Sequence, residues 1–224
     1  MFNLGLYFVT IAIWGSTWII TKQQVSELSP LHSVFLRYVL AAFLLQSLIK
    51  IFGSKAQYSA KTHLLFFLLG SSLFCWNYVL FYHAASTGLT TGLIALIFST
   101  IITMNIANNA LIFKEYPKLS TVIGAIIGLF GITLVFFEDL SNFKDTNLLS
   151  SIALCLIATY LASLGNMFSK ILQRKNVTVV SANQWGMTYG ALSLLITTLF
   201  FDQNIQIPVT ISFLSGLLFL AIFG

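Results

Sequence analysis

The feature that most constrains this chain is a series of apolar, nearly charge-free windows, each about 20 residues long and separated by short polar connections. A helix of that length matches the hydrocarbon thickness of a bilayer. Only 8% of the residues are charged, against about 25% in a soluble domain. We therefore predict an all-α polytopic membrane protein. The full predicted spans are Asn3–Thr21, Leu31–Ile49, Leu64–Tyr82, Leu89–Phe113, Leu119–Phe137, Leu148–Ser169 and Ser181–Phe201.

An eighth apolar window opens at Val209 and reaches Gly224 after 16 residues. That length rises about 24 Å as a helix, short of the roughly 30 Å hydrocarbon core. We therefore expect seven full transmembrane helices and a truncated eighth. None of the connections is long enough for a soluble domain, so the chain is predicted to be one membrane domain.

Lysine and arginine are distributed unequally between alternate connections. The odd connections hold only Lys22 and Lys144. This bias predicts that the even connections and the N-terminus lie in the cytoplasm. The cations are scattered and form no basic patch, so we expect no nucleic-acid partner. The even connections hold Lys50, Lys55, Lys61, Lys114, Lys118, Lys170, Arg174 and Lys175.

The span pattern repeats within the chain. A shift of 148 residues places the first three spans on the sixth, the seventh and the truncated eighth. A repeat of five helices has an odd number, so its second copy is inverted in the membrane. We predict a first five-helix repeat at residues 1–143 and a second, incomplete at its C-terminus, at residues 148–224. Inverted repeats are typical of secondary transporters, whose substrate site lies near the midplane.

The chain contains, in order, Trp14-Gly15-Ser16-Thr17, Lys22, Pro30, Arg37, the run from Asn77 to Ala85, Glu115, and the glycines Gly124, Gly128 and Gly131. Taken together, these motifs resemble the EamA-like branch of the drug/metabolite transporter superfamily. Two departures are Ile102, where the family often has a proline in helix 4, and the end of the chain inside the eighth of normally ten helices. The resemblance implies a ten-helix transporter of the bacterial inner membrane that exchanges or exports small metabolites, amino acids or drugs.

Arg37 is the sharpest candidate for a functional residue. It is a charge about two turns inside the second span, where an ionisable side chain is expensive and by default functional. We predict a role at the mouth of a central cavity or in its gating. The alternative is that the long side chain snorkels to the outer surface. Glu27 or an anionic group of the substrate is the expected partner.

Other polar or amphipathic side chains within the spans are candidates for lining or gating the cavity, and each has a structural alternative. The alternatives are helix packing for the first span, snorkelling for the lysine at its end, hydrogen bonds between helices for the amides, and an interfacial belt for the tyrosines. The GxxxG spacings Gly124/Gly128 and Gly186/Gly190 are interpreted as helix packing. The candidates are Trp14, Ser16, Thr17, Lys22, Asn77, Tyr78, Tyr82, Asn105, Asn109 and Asn166.

These patterns favour a secondary transporter, an exporter working by alternating access, over an enzyme. An enzyme would need clustered ionisable groups at membrane depth, and the sequence has no HExxH or GxSxG motif. We expect no cofactor and no metal. The expected partners are the lipid bilayer, a small-molecule substrate and, as a candidate assembly, a homodimer. The competing hypothesis is a truncated, non-transporting remnant or a helper subunit of a membrane complex.

Overall fold

Apolar helices account for nearly all of the described chain. The computed structural model describes residues 2–52, 57–87, 89–135, 146–201 and 206–224. Lys55, Lys144 and the predicted repeat boundary at residue 143 lie outside these residues. The helices are α1 (Phe2–Glu27), α2 (Pro30–Phe52), α3 (Ala60–Ser71), a π-helical turn (Ser72–Trp76), α4 (Asn77–Ser86), α5 (Thr91–Ser99), α6 (Ile101–Phe113), α7 (Leu119–Val135), α8 (Thr146–Arg174), α9 (Val179–Phe201) and α10 (Ile211–Ile222).

Five helical stretches in the described residues are long and apolar enough to cross a bilayer. This confirms the predicted helical membrane protein, but it does not confirm a count of seven full spans. Helix α9 has 23 residues and carries the polar pair Asn183 and Gln184 near its start, and it is not among the five. The five are Leu4–Glu27, Pro30–Ile51, Ala60–Ser86, Thr91–Phe113 and Leu149–Arg174.

The outer surface is strongly apolar. Phe43, Leu111, Ile127 and Phe200 are each more than 60% exposed. Lipid solvates apolar side chains, and helices satisfy the hydrogen bonds of their own backbone groups internally. The exposed apolar surface therefore agrees with a helical bundle embedded in a bilayer.

The helices pack most closely around α9, which contacts α2 and α3. Gly70 of α3 lies against the backbone of Gly186 and Gly190. A Cβ atom at Gly70 would lie 2.4 Å from the Gly186 carbonyl oxygen. The predicted packing role of Gly186 and Gly190 is confirmed, because these small residues let two helix backbones approach closely.

Helix α7 differs from the rest of the bundle. The packing role predicted for Gly124 and Gly128 is wrong for the described residues, since a Cβ atom at either position would meet nothing within 4 Å. The large side chains of α7, such as Ile126 and Phe130, are more than 60% exposed. The GxxxG spacing alone therefore did not distinguish a packed helix from an exposed one.

Two of the spanning stretches are interrupted. A π-helical turn, Ser72–Trp76, separates α3 from α4. At Thr100, between α5 and α6, the backbone N–H donates to the Ile97 carbonyl (3.1 Å) and the side-chain hydroxyl donates to the same oxygen (2.6 Å). This tighter i→i−3 pattern interrupts the helix. Ile102 stands where the EamA-like family often has a proline in its fourth helix. The helix is nevertheless interrupted at Thr100, two residues earlier.

Candidate functional site

A buried arginine forms the centre of the candidate site. Arg37 on α2 is 2% exposed, so it does not snorkel out of the bundle. Its Nη1 donates a hydrogen bond to the Tyr82 hydroxyl (3.3 Å). Its Cζ lies 4.4 Å from the ring centroid of Tyr78 and 5.2 Å from that of Tyr38, within the range of cation–π attraction. Three phenol rings therefore surround the guanidinium group.

The predicted ion pair with Glu27 is absent from the structure. The Glu27 carboxylate accepts a hydrogen bond from the Thr210 hydroxyl (2.8 Å). In the described ranges, the side-chain carboxylate that forms ion pairs is that of Glu115, and its partners are Lys170 and Arg174. Among the described residues, Arg37 therefore has no side-chain counter-ion.

A cavity of about 110 Å³ opens beside Arg37. Its lining residues come from α1, α2, α4 and α5, together with Gly224, so the cavity lies between these helices. For scale, a dry cavity of about 150 Å³ binds benzene. The cavity therefore suits a compact organic group. The residues that line it are Trp14, Thr17, Trp18, Thr21, Arg37, Asn77, Tyr78, Phe81, Tyr82, Phe98 and Gly224.

Helix α4 brings its polar residues to this cavity directly after the π-helical turn. Asn77 is 2% exposed, and its Oδ1 accepts a hydrogen bond from the Tyr78 backbone N–H (2.7 Å). A π-helical turn contains an extra residue compared with an α-helical turn and therefore changes the register of the helix that follows. The turn thus determines which face of α4 presents Tyr78 and Tyr82 to Arg37.

Aromatic rings form an apolar wall of the cavity. Trp18, Phe81 and Phe98 meet edge to face, with ring centroids 5.3–5.7 Å apart. Edge-to-face contacts of this kind are favourable beyond the area they bury. The cavity therefore has one cationic point and an otherwise largely aromatic lining.

A second polar assembly, which we call the α6–α8 seam, joins those two helices. Asn108 Nδ2 donates to Ser163 Oγ (2.8 Å), which in turn donates to Asn105 Oδ1 (2.8 Å). Asn166 Nδ2 lies 3.4 Å from the same Asn105 oxygen. Asn109 Oδ1 accepts from Lys170 Nζ (2.6 Å). These amides form hydrogen bonds between helices and do not line the Arg37 cavity.

The seam ends in a charged cluster. Glu115, directly after α6, forms ion pairs with Lys170 and Arg174 on α8. Both cations also lie over the Phe113 ring, at 4.6 and 4.3 Å from its centroid. The hydrogen bond from Lys170, with the positive charges of Lys170 and Arg174, lowers the pKa of the Glu115 carboxyl group below its ordinary value.

Besides the amides of the α6–α8 seam, two further predicted site residues lie away from the cavity. The Ser16 hydroxyl donates to the carbonyls of Ala12 and Ile13 in its own helix (2.9 and 2.8 Å). Lys22 is exposed and does not line the cavity. Trp14, Thr17, Arg37, Asn77, Tyr78 and Tyr82 are the predicted residues that the structure brings together.

Sequence reasoning missed several residues of the two assemblies. Trp18 follows Trp14 by one helical turn, so the i, i+4 rule would have placed both on one face. Tyr38, Phe81 and Phe98 carry no such signal, because aromatic residues are ordinary in a transmembrane helix. Ser163 is also inconspicuous, since it is a small residue in a long apolar run.

The comparison with known proteins identifies the family. The profile of the EamA-like transporter family matches residues 2–137, which is more than half of the chain and includes α1 to α7. The chain belongs to the EamA-like transporter family. It is therefore an integral membrane protein of the drug/metabolite transporter type, and members of this family are generally not enzymes.

A relative supports the assignment beyond the matched segment. This EamA-like protein is 29% identical over 205 residues to a protein of Bacillus subtilis (strain 168) named "Uncharacterized transporter YoaV". The match covers 89% of this chain and 67% of the relative. The similarity to a protein named as a transporter thus extends past the part that the family profile covers.

Proposed function

We propose that this EamA-like protein is a secondary transporter that exports small metabolites, amino acids or drugs by alternating access, with the Arg37 cavity as its solute site. The observation that carries the proposal is the burial of Arg37, at 2% exposure, on the wall of a cavity between apolar helices. A charge inside a membrane-spanning helix is costly and is retained where it serves a pathway or a ligand. Membership of a transporter family makes a solute pathway the simplest such use.

The proposal includes a five-helix repeat at residues 1–143 and a second, inverted repeat, incomplete at its C-terminus, at residues 148–224. The 148-residue shift between corresponding spans supports it, as does the excess of Lys and Arg in alternate connections. The same charge bias supports an N-terminus in the cytoplasm, and the family supports the bacterial inner membrane. A reporter fused to the second connection should lie in the cytoplasm and one fused to the third connection on the opposite side of the membrane. The orientation is wrong if the two fusions report the reverse.

We further propose that the α6–α8 seam acts as a gate on the cytoplasmic side. Alternating access requires that the two ends of a pathway open in turn. The pairing of Glu115 with Lys170 and Arg174 ties the end of α6 to the end of α8, which belong to different repeats in the proposed arrangement. The gate is wrong if Glu115→Gln leaves two measurements unchanged: the rate of transport, and the labelling from the cytoplasmic side of a cysteine introduced into the cavity by Thr17→Cys.

The experiment that tests the transporter function compares two variants of α2, one at Arg37 and one at Lys50. We expect Arg37→Ala to abolish efflux while membrane insertion stays intact, because it removes the charge beside the cavity. Lys50→Ala is the matched control, since Lys50 lies on the same helix but is exposed. The variants are expressed at equal levels in a bacterial host lacking its own related exporters. Untargeted mass spectrometry then measures solutes inside and outside the cells.

Expression of the wild type should move at least one class of solute outward. Expression of Arg37→Ala should match the empty vector, and Lys50→Ala should match the wild type. Wild-type efflux in a correctly inserted Arg37→Ala variant would contradict the assigned site. A wild-type profile equal to the empty vector for every solute would contradict the export function.

A further inference from the structure

The Arg37 guanidinium is a buried cation with an incomplete set of hydrogen-bond partners among the described residues. A guanidinium has five N–H donors, and in the described part of the chain the hydrogen-bond acceptor for Arg37 is the Tyr82 hydroxyl. Neutral phenol rings stabilise a cation but do not neutralise it. A buried charge normally requires an opposite charge and well-placed hydrogen bonds. The side-chain carboxylates of the described residues do not supply them, since Glu27 accepts a hydrogen bond from Thr210 and Glu115 is held by the α6–α8 seam.

The cavity beside Arg37 offers space for such a partner. Arg37 is one of its lining residues, so a solute in the cavity can reach the guanidinium. The planar fork of arginine fits the two oxygens of a carboxylate in a bidentate pair. A carboxylate in the cavity would therefore complete both the charge and the hydrogen bonds of Arg37.

The cavity lining also limits the charge of the solute. Arg37 is the only Lys or Arg among the lining residues in the described chain, so one negative charge is balanced and a second would remain unpaired. The lining also includes the large aromatic side chains of Trp14, Trp18 and Phe98, which favours an apolar body. A volume of about 110 Å³ suits a body about the size of one small ring or a short aliphatic chain.

We propose that the solute of this cavity is a monocarboxylate with a compact apolar body, whose carboxylate binds Arg37 while the aromatic wall encloses the apolar part. This assignment rests on the proposed function, because it specifies the solute class of the same site. It makes Arg37 a specificity-determining residue that distinguishes an acid from a neutral compound of the same shape.

The test measures binding to the full-length purified protein in lipid nanodiscs by isothermal titration calorimetry. The probes are acids and their amides, which match in shape but differ in charge: phenylacetate and phenylacetamide, benzoate and benzamide, butyrate and butyramide. Phenyl phosphate at pH 8 tests a dianion. We expect at least one acid to bind about tenfold or more tightly than its amide, since hydrogen bonds to charged groups are the strong ones. That acid should also bind more tightly than phenyl phosphate.

Arg37→Gln should bind the acid and its amide equally, and Arg37→Lys should retain part of the preference because it keeps the charge but loses the fork. The comparison of acid with amide in the wild type needs no variant, so it decides the proposal even if Arg37→Gln does not fold. The proposal is overturned by equal affinities in the wild type, by no binding of any acid at millimolar concentration, by tighter binding of phenyl phosphate, or by an unchanged preference in folded Arg37→Gln.

Flux in proteoliposomes separates this proposal from the proposed function. Acid-selective binding without flux of the bound acid supports the anion site and contradicts transport. Flux of the amides or of other neutral solutes, with no preference for acids in binding, supports transport and overturns the carboxylate assignment.

Discussion

The contact between α3 and α9 predicts a large loss of stability for Gly70→Ala. The added Cβ would lie 2.4 Å from the Gly186 carbonyl oxygen and 2.8 Å from the Gly190 backbone nitrogen. Both obstacles are backbone atoms, so no rotamer change relieves them and the helices must move apart by about half an ångström or more. Forcing one extra carbon into a close-packed interior costs about 1–3 kcal/mol, and a rigid backbone contact belongs at the upper end. For a chain of this size, each kcal/mol lowers the melting temperature by about 2–4 °C.

We therefore expect Gly70→Ala to melt about 5–10 °C below the wild type, measured by loss of the monodisperse peak after heating in detergent. Gly128→Ala is the matched control, because it makes the same substitution in a helix where the new Cβ meets nothing within 4 Å. The control should be neutral or slightly stabilised, since alanine favours the helix more than glycine does. If the two variants melt at the same temperature, the close approach of α3 and α9 is wrong.

The α6–α8 seam gives two further predictions. Because the pKa of Glu115 is lowered in the folded state, its contribution to stability is present above the ordinary carboxyl pKa of about 4.3 and is lost as the pH falls through the folded value. Melting of the wild type should fall over that acidic range more steeply than melting of Glu115→Gln, and parallel curves would contradict the ion pairs. A double-mutant cycle of Asn108→Ala and Ser163→Ala should give a coupling energy of about 0.6–1.7 kcal/mol. The control cycle combines Asn108→Ala with Thr133→Val, because the exposed Thr133 hydroxyl bonds within its own helix. Its coupling energy should be near zero. Equal coupling energies in the two cycles would contradict the 2.8 Å hydrogen bond between Asn108 and Ser163.

The fold class could be predicted because lipid imposes a strict rule on the sequence. A helix that spans a bilayer must be apolar over about 20 residues, so the windows and their connections can be located by inspection. The interruptions could not be located in this way. The turn Ser72–Trp76 contains no proline, and the one at Thr100 depends on a hydroxyl that bonds to a nearby carbonyl.

The candidate site could be predicted only in part, because a polar residue in an apolar run has several ways to satisfy its hydrogen bonds. Ser16 and Thr17 are neighbours of similar chemistry, yet only Thr17 lines the cavity. Asn77 and Asn105 have equivalent sequence settings, but Asn77 lies at the cavity and Asn105 ties α6 to α8. The deciding factor is which helix lies opposite, and hydropathy carries no information about that.

The placement of counter-charge separates the two polar assemblies by role. Lys170 and Arg174 have side chains that are 33% and 51% exposed, and both are paired with Glu115. Arg37 is 2% exposed, and no side-chain carboxylate of the described residues is paired with it. If all of these cations served stability alone, the most buried one would need a counter-ion most, because the desolvation penalty grows with burial. The opposite order is observed, so Arg37 is the cation whose charge remains available to a molecule entering the cavity.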